Sequence, residues 1–193
     1  GVRLVGSEMC IRDRLRADFD AIIIGGNTLR KDNPILTTRG LKEIEPLRVV
    51  FTRNLDLPLE AKLWDTEISN TLVVYDSSTA NEENLKRIPN NVAIEKVTSD
   101  DPRLLSKVLA EKGCNRVLWE CGPELATAAV KSGCIQEFIT FLAPKILGGI
   151  NGMNPFLDFD FKSMSEVINL NLKEIQPLNL SLIHISEPTR RTP

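Results

Sequence analysis

The sequence predicts an α/β domain with a largely parallel central sheet, and three observations carry that prediction. Short apolar, β-branched runs recur at 21–24, 47–52, 71–75, 92–97, 117–119 and 136–143. Helical stretches and glycine- or proline-marked turns separate most of them, the alternation expected of parallel strands joined by crossovers. The composition, 42% hydrophobic and 26% charged over 193 residues, is that of one folded domain with its own core. No repeat, low-complexity tract or linker interrupts it.

In order, Ala21-Ile22-Ile23-Ile24 reads as a buried strand closed by Gly25 and Gly26. Asn27 to Asn33 follows as one or two helical turns, stopped because the residue before Pro34 is driven out of the α region. Leu47–Thr52 and Thr71–Tyr75 are the second and third strands. Asn81–Arg87 is helical, with Ser78, Thr79 or Asn81 as its cap, and Val92–Val97 is the next strand. Asp101–Lys112 is a helix with Pro102 in its first turn, Leu104, Leu105, Val108 and Leu109 on one face, and Gly113 as its stop.

The stretch Val117–Ala128, VLWECGPELATA, is the centre of the chain. A strand ends at Glu120, turns through Cys121 and Gly122, and enters a helix at Pro123, where a missing N–H costs nothing. The N–H groups of Glu124, Leu125 and Ala126 then point out of the helix end, a place suited to a phosphate. Glu120 lies at the carboxyl end of its strand, where open α/β sheets gather ligands. It could orient a heterocycle or pass a proton to an imine. It could equally pair with Arg116 or cap the helix. Beyond it, Gln136–Ala143 reads as a strand, Gly148-Gly149 as a turn and Val167–Ile175 as a late strand.

Thr28, Asp32, Leu36 and Arg39 form a compact set after the first strand. Thr28 and Asp32 are one helical turn apart and share a face, able to hold a ribose or an amide. The planar fork of Arg39 suits phosphate oxygens. The plainer reading makes Thr28 a cap, Asp32 a turn residue and Arg39 a surface charge.

Several classes are excluded. No GxGxxG, Walker lysine motif or GxSxG elbow occurs. No basic stripe invites nucleic acid, and no apolar run approaches the ~18 residues of a membrane span. Nothing reads as a signal peptide.

The two ends stand apart at the level of DNA. Val5–Asp13 (VGSEMCIRD) back-translates as GTG GGC TCG GAG ATG TGT ATA AGA GAC. Ser181–Thr189 (SLIHISEPT) back-translates as TCT CTT ATA CAC ATC TCC GAG CCC ACG, its reverse complement shifted by one base. The string resembles a transposon-end library adapter, so residues 1–14 and 180–193 are expected to be translated adapter, leaving a domain over 15–179. Five of the 24 basic and three of the 26 acidic residues lie there, so the remainder carries a formal charge of −4 rather than −2. His184, the single histidine, and Cys10 lie there too. Cys114, Cys121 and Cys134 are a poor zinc set, and no metal is expected; they read as thiols in a reducing cytoplasm.

The stretches LRADFDAIIIGGNTLRKDNPILTTR (15–39), PLRVVFTRNLDLP (46–58), VLWECGPELATAAVKSG (117–133) and FLAPKILGG (141–149) resemble the C-terminal reductase domain of bacterial riboflavin-biosynthesis deaminase–reductases. The resemblance extends from Leu15 to Leu178 and implies a three-layer, dihydrofolate-reductase-like fold. It implies reduction of 5-amino-6-(5-phosphoribosylamino)uracil to its ribitylamino product, with NADPH delivering hydride to C1′ of the opened imine. By position, Thr28, Asp32 and Gly122, Pro123, Glu124, Leu125, Ala126, Thr127 and Ala128 match cofactor contacts. Leu36, Arg39 and Glu120 match substrate contacts, with Glu120 nearest the reacting centre. Arg53 departs from the small hydroxyl residue of relatives and could meet the cofactor's 2′-phosphate or face solvent.

Larger departures are expected at the ends. The family's opening strand, with its Asp-Gly pair, is expected to be lacking, and so is the closing strand after Leu178. The zinc-dependent deaminase domain of the parent is absent from these residues, and weak or no reductase turnover is expected of this chain. Exposed strand edges favour self-association, as a homodimer. The alternatives are a reductase of the same fold acting on another pterin-like substrate, or a nucleotide-binding remnant without catalysis.

Overall fold

The computed structural model of the chain describes residues 7–146, 154–178 and 181–189. Five strands, β1 (Ala21–Gly25), β2 (Leu47–Thr52), β3 (Thr71–Asp76), β4 (Ala93–Val97) and β5 (Val117–Trp119), form one sheet in the order β4-β3-β2-β1-β5. Every pairing in it is parallel, with Ile23 level with Val49 on one side and Trp119 on the other. Ile22, Ile23, Ile24, Val49, Val50 and Val73 are fully buried, because both faces of the sheet are covered. That is why these runs are apolar throughout instead of alternating.

Helices α1 (Ser7–Ala17), α2 (Gly26–Asp32), α3 (Pro102–Glu111) and α4 (Pro123–Lys131) complete the main elements. On one face Ile22, Ile24 and Val50 pack with Leu29, Leu36 and Leu63. On the other, Ile23, Val49 and Val74 pack with Leu105, Leu109 and Leu125. This gives the three layers expected. Asp101 caps α3 by accepting the Arg103 N–H at 2.9 Å. Of the three candidate caps near residue 80, Asn81 serves, and the turn it starts, Glu82–Arg87, is 3-10 rather than α.

From β1 the chain steps outward through β2 and β3 to β4, then returns with β5 on the other side of β1. The direction of winding therefore reverses between β1 and β5, and the carboxyl ends of these two strands open a crevice. Gly25–Gly26 and Trp119–Glu120 border it.

The remaining strands, β6 (Phe138–Leu142), β7 (Leu170–Leu178) and β8 (Ser181–Pro188), form an antiparallel sheet in the order β6-β8-β7. β7 starts at Leu170 instead of the expected Val167, because Met164–Glu166 make a 3-10 turn that Val167 closes. The family's closing strand is expected to be lacking after Leu178, and here residues 181–188, from the stretch read as adapter, take the central place in this sheet. Their alternating apolar residues, Leu182 apart, lean inward, and Ile183 is buried against its neighbours. β5 and β6 lie in different sheets, each at an edge. The expected turn at Gly148-Gly149 lies outside the described residues. Among the described residues no helix is long and apolar enough to cross a membrane.

Candidate active site

A cleft of about 660 Å³ opens at the carboxyl ends of β1 and β5. Thr28, Asp32, Leu36, Arg39, Glu120 and Gly122 all line it, so residues from three separated stretches converge. The α2 helix brings Thr28 to the start of α4: a Cβ added to Gly122 would stand 3.7 Å from Thr28 Oγ1. Thr28 is not a cap, since α2 begins at Gly26 after Gly25.

The segment 33–40 forms the second wall and has unusual backbone. Asn33, Leu36, Arg39 and Gly40 all have positive φ, at 40°, 57°, 55° and 81°. For Leu36 and Arg39 this is costly and persists only when surroundings over-determine it. The Glu45 carboxylate accepts from the Thr38 N–H and hydroxyl, both at 2.7 Å. From beneath, the buried Arg48 guanidinium donates to the Ile35 carbonyl at 3.4 Å and to those of Leu63, Asp65 and Ser69. Leu36 is thereby held buried at the cleft wall, and Arg39 is carried to the rim.

Glu120 pairs with neither Arg116 nor the α4 helix end. Its two oxygens are gripped by Arg16, Nη2 to Oε1 at 2.8 Å and Nε to Oε2 at 2.9 Å. Arg116 instead lies over the Phe19 ring, 5.1 Å from its centroid. The remaining Arg16 nitrogen donates to the Thr37 carbonyl at 3.1 Å and meets Asp13 at 3.3 Å. Burial works against the Arg16 charge, but the Glu120 hydrogen bonds and charge outweigh it, so the guanidinium holds its proton more firmly than usual. Asp13 also reaches Arg39, Oδ2 to Nε at 3.1 Å. Arg39 is thus neither a plain surface charge nor alone.

Arg16, Asp13, Glu45 and Arg48 escaped sequence reasoning. No local pattern marks Arg16, whose partner is 104 residues away. Asp13 sits in a stretch set aside on DNA grounds. The buried Arg48 within LRVVFT was the visible signal, since a charge inside a buried strand must have partners.

The other expected cofactor residues are outside the cleft lining. The Ala126 N–H is not free, as it donates to the Gly122 carbonyl at 3.0 Å; those of Glu124 and Leu125 remain at the helix end. Leu125 packs its side chain against Gly25, and Thr127 is buried with its hydroxyl accepting from the Leu157 N–H at 2.8 Å. Arg53 is exposed, 3.8 Å from Asp100 and 3.4 Å from Glu124. Cys121, beside Glu120, has its thiol pushed up to about 12 by burial and is inert as a nucleophile.

Comparison with known proteins agrees with this architecture. The chain is 41% identical over 161 residues to the riboflavin biosynthesis protein RibD of Synechocystis, covering 81% of this chain and 43% of that protein. It is 28% identical over 162 residues to the 2,5-diamino-6-ribosylamino-4(3H)-pyrimidinone 5′-phosphate reductase of Aquifex aeolicus, covering 82% of this chain and 72% of the relative. The structure superposes on Acinetobacter baumannii RibD with a TM-score of 0.79 at 26% identity, over 98% of this chain and 52% of that one. The chain therefore spans about half the length of the RibD proteins it matches. The profile of the RibD C-terminal domain matches residues 7–183, from the first described helix into the last strand, and the chain belongs to that family.

Proposed function

We propose that this chain is the reductase part of a riboflavin-biosynthesis enzyme, converting 5-amino-6-(5-phosphoribosylamino)uracil to its ribitylamino product with NADPH. The observation that carries the reading is the convergence of Arg16 and Arg39 with Glu120 in one cleft at the β1–β5 crevice. Two guanidinium groups suit a phosphate, and a fixed carboxylate suits the polar edge of a uracil or the nitrogen at the reacting carbon.

The residues present fit a nicotinamide cofactor. The Glu124 and Leu125 N–H groups face outward at the start of α4 with no side-chain cap, and the Thr28 hydroxyl stands opposite Gly122. Asp32, exposed on the cleft wall, can accept from a ribose hydroxyl or a carboxamide. In this reading Arg53, exposed and 3.4 Å from Glu124 beside the start of α4, leaves Asp100 and Glu124 for the 2′-phosphate of NADPH, which supports NADPH over NADH. Pro123, Ala126, Thr127 and Ala128 shape that helix end, without facing the cleft. When bound, the dihydronicotinamide supplies the hydride. The chain supplies alignment: Arg39 and Arg16 hold the phosphate end, the Leu36 backbone backs the sugar, and Glu120 orients the reacting nitrogen.

The parent protein carries a deaminase domain in this reading and acts in the cytoplasm. Leu172 and Ile175 on β7 are exposed apolar residues that support a homodimer, which sedimentation would show as a two-chain species. Turnover by these 193 residues is expected to be weak. The test is quenching of Trp119 fluorescence by NADPH against NADH, followed by NADPH oxidation with the phosphoribosylaminouracil. Preferential NADPH binding and turnover lost in Glu120→Gln supports the reading. Turnover with a pterin instead favours the sister reductase, and NADPH binding without turnover in a full-length parent favours a remnant.

A further inference from the structure

Arg39 sits in the left-handed region at φ 55°, followed by Gly40 at φ 81°. A residue with a side chain keeps that conformation only where its surroundings dictate it, and Glu45 does so here. Its Oε2 accepts from the Thr38 N–H and its Oε1 from the Thr38 hydroxyl, both at 2.7 Å, while the Gly40 N–H reaches Oε1 at 3.4 Å. The N–H groups of Thr38 and Gly40 flank Arg39, so one carboxylate grips the backbone on both sides of it. An ionised carboxylate suits three donors because both of its oxygens only accept. The turn closes on itself as well: the Leu41 N–H donates to the Thr38 carbonyl and the Lys42 N–H to the Thr38 hydroxyl, each at 3.3 Å. Glu45 is fixed in its turn. It precedes Pro46, which drives it to extended backbone, and the Pro46 carbonyl accepts from the buried Ser69 hydroxyl at 2.7 Å.

We propose that Glu45 is a positioning residue for substrate binding, fixing the turn at 38–40 so that Arg39 is held at the cleft rim ready for a phosphate. This rests on the reading of Arg39 as a phosphate ligand. Thr37 and Arg39 line the cleft and Glu45 does not, so it acts through Arg39 and not on the ligand. The Asp13 contact to Arg39 belongs to the stretch expected to be adapter, whereas Thr38, Gly40 and Glu45 all lie within 15–179. A turn already held in the bound conformation spares the ligand the cost of ordering it.

The probe is D-ribose 5-phosphate, titrated calorimetrically into the whole chain and its variants; Asp13 is present in all of them and cancels in the comparison. Glu45→Gln turns one acceptor oxygen into a donor facing donors, and is expected to bind ribose 5-phosphate about fivefold more weakly. Removing a negative charge near a phosphate would by itself tighten binding, so the sign of the change is decisive. Thr38→Val, which removes one donor and no charge, should weaken binding in the same direction, and Thr38→Ser should not. In an Arg39→Met background Glu45→Gln should cost nothing further. Unchanged or tighter binding in Glu45→Gln overturns the proposal, and so does an equal loss with and without Arg39. Arg39→Met alone separates this from failure of the wider reading: if it weakens binding the phosphate site stands, and if it has no effect, or the unaltered chain does not bind, that site falls with the proposal. Unfolding midpoints show which variants retain the fold, and the Thr38 pair decides the matter if Glu45→Gln does not.

Discussion

Arg16 and Glu120 form a two-point ion pair across 104 residues of sequence, at 2.9 and 2.8 Å, joining the end of α1 to the end of β5. Both side chains are largely shielded from solvent, so neither can lose its partner and simply rehydrate. The same guanidinium holds the Thr37 carbonyl, and through it the segment carrying Arg39. One side chain therefore fixes the distance between the group assigned to the phosphate and the group assigned to the reacting centre.

Replacing Arg16 should reveal this coupling. Arg16→Met and Glu120→Gln are each expected to destabilise, and a double-mutant cycle in urea should return a coupling of roughly 1–3 kcal/mol. Any NADPH-dependent turnover should fall about a hundredfold in Arg16→Met, since a misplaced carboxylate loses alignment. Arg16→Lys should recover little, because one ammonium cannot span two carboxylate oxygens. Additive single substitutions would show that the pair is incidental.

Asp76 links stability to pH. At the carboxyl end of β3 it is buried, which by itself would raise its pKa. The Ser78 hydroxyl at 2.7 Å, the Ser78 N–H at 2.8 Å and the Thr79 hydroxyl at 3.1 Å outweigh this and hold it below the ordinary range. A depressed folded-state pKa stabilises above the unfolded value of about 3.9, and that contribution is lost as pH falls through the folded value. Asp76→Asn is expected to lower stability at neutral pH by about 1–2 kcal/mol and to flatten the loss as pH falls below the unfolded value, read from urea midpoints across pH. An unchanged acid limb in Asp76→Asn would assign the acid sensitivity elsewhere.

Arg48 presents the opposite arrangement, a fully buried cation held by carbonyl oxygens. Burial pushes its pKa down, with Asp65 and Glu45 acting against that, and its Nε has no hydrogen-bond partner. Arg48→Met would keep the volume of the stem but take its donor from the buried Ser69 carbonyl and from those of Ile35 and Asp65, while the Leu63 carbonyl keeps the Thr71 hydroxyl at 2.6 Å. A loss of roughly 2–4 kcal/mol is expected, with Arg48→Lys recovering only part because one ammonium cannot reach all of them. Hydrogen exchange should accelerate across residues 33–40 and 61–70 before it does elsewhere. Loss confined to the strand would show that the two segments hold themselves.

These two charged residues mark the boundary of what local pattern conveys. The parallel strands were legible because burial on both faces writes a continuous apolar run, as in Ala21–Ile24 and Thr71–Tyr75. The α3 helix was legible from Pro102, its apolar face and Gly113. Thr28, Asp32, Leu36, Arg39, Glu120 and Gly122 drew notice at turns that glycine and proline punctuate, but spacing alone favoured plain structural parts for most of them, and their assignment to one site came from the family resemblance; the structure brings all six to one cleft. The partners of those residues were not legible. Arg16 to Glu120, Asp13 to Arg39 and Arg48 to four carbonyls are non-local pairings, set by how the sheet is wound and not by any spacing along the chain. The helix end misled in a smaller way: counting orphan N–H groups included Ala126, which the tight turn at Gly122 satisfies.

The ends of the chain give the last prediction. β8 is the hydrogen-bonded neighbour of both β6 and β7, so removing residues 180–193 leaves those two strands with no ladder between them. The five-stranded parallel sheet makes none of these pairings and should survive. Limited proteolysis of the shortened chain is therefore expected to cut within 134–178 while a fragment ending near Lys131 persists. Resistance equal to that of the whole chain would mean that β6 and β7 hold without β8. The complementarity of Val5–Asp13 and Ser181–Thr189 adds a second, independent measurement. If these stretches are adapter, the source locus encodes other residues there, and a chain rebuilt from that locus should supply its own closing strand and lack the Asp13 carboxylate. A locus that encodes the same residues in codons without complementarity would make α1 and β8 native to the domain.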